Sequence, residues 1–148
     1  MTIANLFKTS LVAATMVAGI VGCSSMQPSN MVKFTAKMTG ASEVPAVRTD
    51  GSGMTEATLN KVTNVLKWKV TYSGLTGPAS AAHFHGPAAA GSNAGVVIPF
   101  ANSASPIEGQ ATLTPAQVAD LMAGKWYANV HTAAHGGGEI RGQMMPTM

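Results

Sequence analysis

Four histidines occur in the chain, in two short stretches: His83 and His85 in AAHFHGPAAAG, and His131 and His135 in NVHTAAHGGG. Imidazole is a ligand for zinc and copper as well as a proton carrier. His83 and His85 are two residues apart, the spacing that puts both side chains on one face of a β-strand. Their Cα atoms are then about 7 Å apart, from two rises of about 3.3 Å each, and the two rings can converge on one ion. Phe84 points the other way into a second layer, and Gly86 with Pro87 ends the strand close to a loop and solvent. In the second stretch Trp126, Ala128 and Val130 share one face, while Tyr127, Asn129 and His131 share the other. His135 follows in a turn that Gly136, Gly137 and Gly138 make pliable, from which it can fold back over His131.

The remaining donors narrow the chemistry. The single cysteine, Cys23, lies at the end of an apolar leader, so thiolate metal sites and cysteine nucleophiles are excluded. Six acidic residues are too few to pick out paired catalytic carboxylates or a serine–histidine–acid set, so a hydrolase is not expected. Three or four imidazoles without thiolate suit copper(II), with zinc second. Of the ten methionines, Met1, Met16 and Met26 fall in the leader and tether, Met38 alternates as core, and Met122 belongs to a helix. Of the other five, only Met144, Met145 and Met148 are thioether candidates. A net charge of +3, with Lys and Arg scattered among acids, gives no nucleic-acid footprint. The alternative to a metal site is that the histidines are hydrogen-bonded wall residues tying strand ends together.

The elements that must position these residues read as short strands. Residues 1–22 form a signal peptide, with Lys8 before an uncharged run over 11–20 that is too short to span a bilayer. Residues 23–31 are a polar tether, and 32–148 are one domain. In VKFTAKM (32–38) Phe34, Ala36 and Met38 alternate with Lys33, Thr35 and Lys37; VLKWKVTY (65–72) alternates in the same way. Further strands are expected over 53–60, 79–85, 95–100, 107–113, 126–131 and 138–145. One helix is expected over 115–123, with Thr114 as cap, Pro115 in the first position, Gln117 completing a capping box, and Val118, Leu121 and Met122 on one face. The pattern predicts an all-β sandwich of about eight strands, with one short helix over an end.

Two stretches carry resemblances. IVGC (20–23) resembles the bacterial lipobox, which implies cleavage before Cys23, lipidation of its sulfur and, with Ser24 following, an outer-membrane lipoprotein facing the periplasm or the cell surface. AAHFHGPAAAGSNAGVV, LTPAQVADLMAGKWYANVHTAAHGGGEIRGQM and ASEVPAVRTDGSG together resemble the CHRD domain, first named from chordin. The resemblance implies a β-sandwich related to Greek-key or immunoglobulin-like folds, and recurrent polar positions at His83, His85, Gly86, Pro87, Asn129, His131, Glu139, Arg141 and Gln143, but little about activity. His135 departs from that pattern. A weaker similarity to copper/zinc superoxide dismutase would give Arg141 an anion-steering role. Glu139 and Arg141, two apart on the last strand, are expected beside His131, Glu139 either bonding the outer imidazole nitrogen or forming a cross-strand ion pair. Three functions follow: a lipid-anchored envelope protein that binds copper or zinc for storage, buffering or delivery; a metal-free envelope module with a protein partner; and a dismutase-like redox enzyme.

Overall fold

The computed structural model describes residues 30–147, so the expected signal peptide, Cys23 and most of the tether lie outside the described residues. Nine strands follow in chain order: β1 (Met31–Thr39), β2 (Ser52–Asn60), β3 (Val65–Ser73), β4 (Ala79–His85), β5 (Val96–Pro99), β6 (Ile107–Thr112), β7 (Tyr127–Thr132), β8 (Ile140–Gln143) and β9 (Met145–Thr147). Among the described residues the one α-helix, α1 (Pro115–Met122), lies between β6 and β7. The strands join in one nearly closed antiparallel sheet in the order β5-β4-β7-β8-β1-β2-β3-β6, with β9 paired to β1. The fold is all-β as the alternation predicts. The β3–β4 and β6–β7 connections cross between the two ends of this path, so β4 and β7 become neighbours although more than forty residues separate them.

The inner face follows the period of two. Phe34, Ala36 and Met38 of β1, Leu66, Trp68 and Val70 of β3, Ala82 and Phe84 of β4, and Ala128 and Val130 of β7 are all buried. Large residues sit against small ones. Trp68 lies in register between Ala57 and Gly109, and a Cβ on Gly109 would stand 2.7 Å from indole Cε2 and closer still to Cζ2. The freed space lets Trp68 meet Phe84 edge to face at 5.3 Å and stack on Phe100 at 5.2 Å. Phe84 is thus clamped in the core, which forces its neighbours His83 and His85 onto the opposite face of β4.

Two expectations about elements change. The final strand expected over 138–145 is divided: β8 pairs β7 and meets β1 only at Arg141 opposite Thr39, then β9 pairs β1 further along. Gly142 permits the crossing, since a Cβ there would sit 3.0 Å from Met38 Cγ and closer still to the Lys37 backbone. The helix has its capping box, with Gln117 N–H donating to Thr114 Oγ1 (3.2 Å) and Thr114 N–H to Gln117 Oε1 (2.8 Å), a device that contributes about 1 kcal/mol. Its inward face is narrower than the spacing suggested: Leu121 is buried and Val118 half-buried, but Met122 is exposed. The helix stops at Met122, one residue early. Among the described residues no helix is long and apolar enough to cross a membrane.

Candidate metal centre

Pairing of β4 with β7 sets His83 opposite Asn129, His85 opposite Tyr127 and Ala81 opposite His131. His131 is therefore the diagonal neighbour of His83, a relation within reach of long side chains. The rings of His83 and His131 have centroids 4.9 Å apart, and His83 Nδ1 lies 3.1 Å from His131 Nε2. His85 completes the group, so that one nitrogen from each of the three rings lies within 4.8 Å of the others.

Backbone carbonyls fix which nitrogens those are. His85 Nδ1 is 3.0 Å from Ala94 O, and His131 Nδ1 is 3.0 Å from Gly136 O. A carbonyl only accepts, so each Nδ1 carries the proton and each Nε2 presents a lone pair. His85 Nε2 is buried and has no hydrogen-bond partner. A buried acceptor left unpaired is costly and rare, and a metal ion would satisfy it. His131 Nε2 accepts from His83 Nδ1–H, which makes the third inward atom of the set His83 Nδ1. Metal–nitrogen bonds of about 2.0–2.1 Å around a tetrahedral ion imply nitrogens roughly 3.3 Å apart, and the His83–His131 pair already stands at about that spacing.

Burial favours the neutral form of all three rings. It lowers the pKa of His83, helped by neighbouring His131 and His85. In His85 and His131 burial also lowers the pKa, against the partial opposition of the Ala94 and Gly136 carbonyls. A neutral imidazole is the form that binds metal. His85 and His131 are each 9% exposed, and His83 is half-buried.

The structure brings together His83, His85 and His131, and leaves His135 out of the converging set. A tight turn diverts the chain: His135 N–H donates to Thr132 O (3.1 Å) and Gly138 N–H to His135 O (3.0 Å). What the turn supplies to the site is the carbonyl of Gly136, not the ring of His135.

Glu139 is also placed differently from the expectation. It accepts from Thr49 Oγ1 (2.6 Å), Thr76 N (2.8 Å), Thr76 Oγ1 (2.7 Å) and Thr132 Oγ1 (2.7 Å), and it touches neither His131 nor Arg141. The outer nitrogen of His131 is already taken by Gly136 O, so no carboxylate is needed there. Burial pushes the Glu139 carboxyl up, but the threonine bonds outweigh it and bring the pKa down to about 2.

Arg141 pairs with Glu43, Nη2 and Nε both 2.9 Å from Glu43 Oε2, and Asn129 Nδ2 donates to Glu43 Oε1. Burial pushes the Glu43 carboxyl up, opposed by the charge and hydrogen bonds of Arg141 and the amide of Asn129. Arg141 is 4% exposed and neutralised by its partner, so it does not steer anions. Glu43 had no signal beyond its place in ASEVPAV, a loop without periodicity; Tyr127 shares the face of His131 in the alternation, but nothing in the sequence gives it a part.

A cavity of about 900 Å³ is lined by Thr49, Leu75 and Thr76 among others, beside the threonines that bond Glu139, and no histidine lines it.

A family model described as the CHRD domain matches residues 34–144. The chain belongs to the CHRD domain family. No curated protein and no solved structure matched it. The CHRD span contains the three converging histidines, their two carbonyl partners and the Glu43–Arg141 pair, so the whole cluster is a feature of this domain and not of a flanking segment.

Proposed function

We propose that this CHRD domain binds one transition-metal ion, copper ahead of zinc, through His83 Nδ1, His85 Nε2 and His131 Nε2, and stores, buffers or delivers it in the cell envelope. The observation that carries the reading is the gathering of three imidazoles, two of them pinned at Nδ1 by backbone carbonyls so that Nε2 carries the lone pair, with His85 Nε2 buried and unpartnered. Donor type supports copper over zinc, because nitrogen sites without thiolate follow the order in which copper(II) binds more tightly. The lipobox-like IVGC supports attachment through Cys23 to the outer membrane, on the periplasmic side or at the cell surface.

Titrating residues 24–148 with copper(II) and zinc(II) tests this, with bound metal read by mass spectrometry and copper geometry by electron paramagnetic resonance. One tight equivalent with nitrogen splittings, lost in the His83→Ala, His85→Ala double variant, is expected; no binding tighter than micromolar would overturn it. A metal-free envelope module is the second reading. The 3.1 Å His83–His131 bond favours it, since it ties β4 to β7 with no ion. On that reading the double variant loses stability and no metal content changes.

A further inference from the structure

We infer that Glu43, Arg141 and Tyr127 are positioning residues that set the tautomer and orientation of His85, acting through the loop over 86–95. The inference rests on the metal-binding reading for its purpose, but its geometry stands without a metal.

The chain of contacts runs from a buried charge to one ligand nitrogen. The phenol ring of Tyr127 lies parallel to the imidazole of His85, with centroids 4.9 Å apart and planes 2° apart. On the phenol Arg141 places its guanidinium, 4.1 Å from the ring centroid. A cation over an aromatic face is favourable most of all when desolvated, and here the cation is buried. Glu43 holds that cation in place through two contacts of 2.9 Å, and Glu43 is itself fixed by Asn129.

The same groups grip the loop that completes the site. Arg141 Nη1 donates to Ser92 O (3.2 Å) and Nη2 to Asn93 Oδ1 (2.6 Å), while Asn93 Nδ2 donates to Val44 O (3.0 Å). Tyr127 Oη accepts from Ala94 N–H (3.2 Å) and donates to Ala94 O (3.3 Å). Ala94 O is the carbonyl that receives His85 Nδ1–H. Imidazole plane and imidazole proton are therefore both specified by one buried network, reached from a glutamate in the loop after β1. His131 is specified separately, by Gly136 in the turn after β7. The two ligands have independent supports, which makes the idea testable against an internal control.

The test is the tautomer of each histidine in the metal-free protein, read by long-range proton–nitrogen NMR, together with metal affinity. Arg141→Lys keeps the charge but loses the planar stack and the fork of donors. His85 should then pass from a single Nδ1–H tautomer to a mixture, with His131 unchanged, and copper or zinc affinity should fall about 10–100-fold, the range seen when a ligand's outer partner is removed. Because a buried ion pair is disturbed, two gentler variants accompany it. Asn93→Ala alters an exposed loop residue, and Tyr127→Phe keeps the ring while removing the bonds to Ala94. Each should loosen the His85 tautomer selectively. An unchanged His85 tautomer in both gentle variants would overturn the inference, as would equal loosening of His85 and His131. If the parent protein binds no metal, the proposed function fails while the tautomer readout still decides the positioning role.

Discussion

Replacing Glu139 by glutamine separates what holds the fold from what holds a metal. The carboxylate is fully buried and ties the segments around Thr49, Thr76 and Thr132 together through four hydrogen bonds. Its pKa lies at about 2 instead of the ordinary 4.5, and the displacement, at about 1.4 kcal/mol per pH unit, puts a ceiling of about 3 kcal/mol on what ionisation contributes at neutral pH. Glutamine keeps the shape. Its carbonyl can still accept from Thr76 N and Thr49, and its amide faces hydroxyls of Thr76 and Thr132 that can rotate to accept. The loss is mainly charge assistance, which roughly doubles the strength of each bond, so about 2 kcal/mol should go, or roughly 10 °C in Tm for a domain of this size. For a carboxylate with a depressed folded pKa the stabilisation is present above the ordinary value and is lost as pH falls through the folded one. Parent and variant should differ fully at pH 7, differ less below pH 4.5, and converge near pH 2. Thermal unfolding at several pH values measures this, and metal titration of the same variant should give unchanged affinity. A tenfold fall in affinity with unaltered Tm would refute the reasoning, because it would place the carboxylate in the service of His131. A stability difference that persists undiminished to pH 2 would also refute it.

Other consequences are simpler to state. All three converging histidines have pKa values below the ordinary 6.5, so the unfolded chain takes up their protons first; stability of the metal-free protein should decline as pH drops below 6.5 and level off once the folded histidines also protonate, as melting against pH would show. Metal in hundredfold excess over its Kd should raise stability by about 2.7 kcal/mol in the parent and by nothing in the His83→Ala, His85→Ala double variant, measured by thermal shift. Gly138 has φ +124°, and a Cβ there would lie 2.7 Å from Glu43 Oε1, so Gly138→Ala should cost about 3 kcal/mol in urea unfolding, from backbone strain plus disturbance of the buried pair.

Alternation of side chains was enough to place most strands within a residue or two, because each has one wet face and one apolar face. It was weakest where that contrast fails. β8 and β9 are too short to show a period, whereas β7, although buried along its whole length, lies within a residue of the span expected over 126–131. The helix was legible from Thr114, Pro115 and Gln117, whose capping chemistry is local; the exposure of Met122 depends on what packs against an eight-residue helix, which is not local. At the site the histidine pair on β4 followed from spacing alone. Its meeting with His131 required the pairing of β4 with β7, and the parts played by Ala94 and Gly136 are backbone contributions that no residue type announces. Glu139 and Arg141 misled the reading because two-residue spacing implies a shared face only inside a strand, and Glu139 lies one residue before β8 begins.

The donor set itself limits what can occupy the centre. It contains nitrogen from three rings and no carboxylate, since Glu139 is consumed by threonines and Glu43 by Arg141 and Asn129. Calcium and magnesium require oxygen ligands, which disfavours them at once. Without an ion the three rings cannot all be satisfied: His83 Nδ1–H can reach the lone pair of His131, and that of His85 is left bare. Binding a metal would turn the His83 proton from Nδ1 to Nε2 on its half-buried side, releasing no net charge while filling both buried lone pairs. The ring left with an unpaired nitrogen is therefore His85, and it is His85 that the fold supports most heavily, with a parallel phenol, a buried guanidinium and a carbonyl held from two directions. A ring that served only to seal a strand end would need none of these to keep its inner nitrogen dry and unpaired.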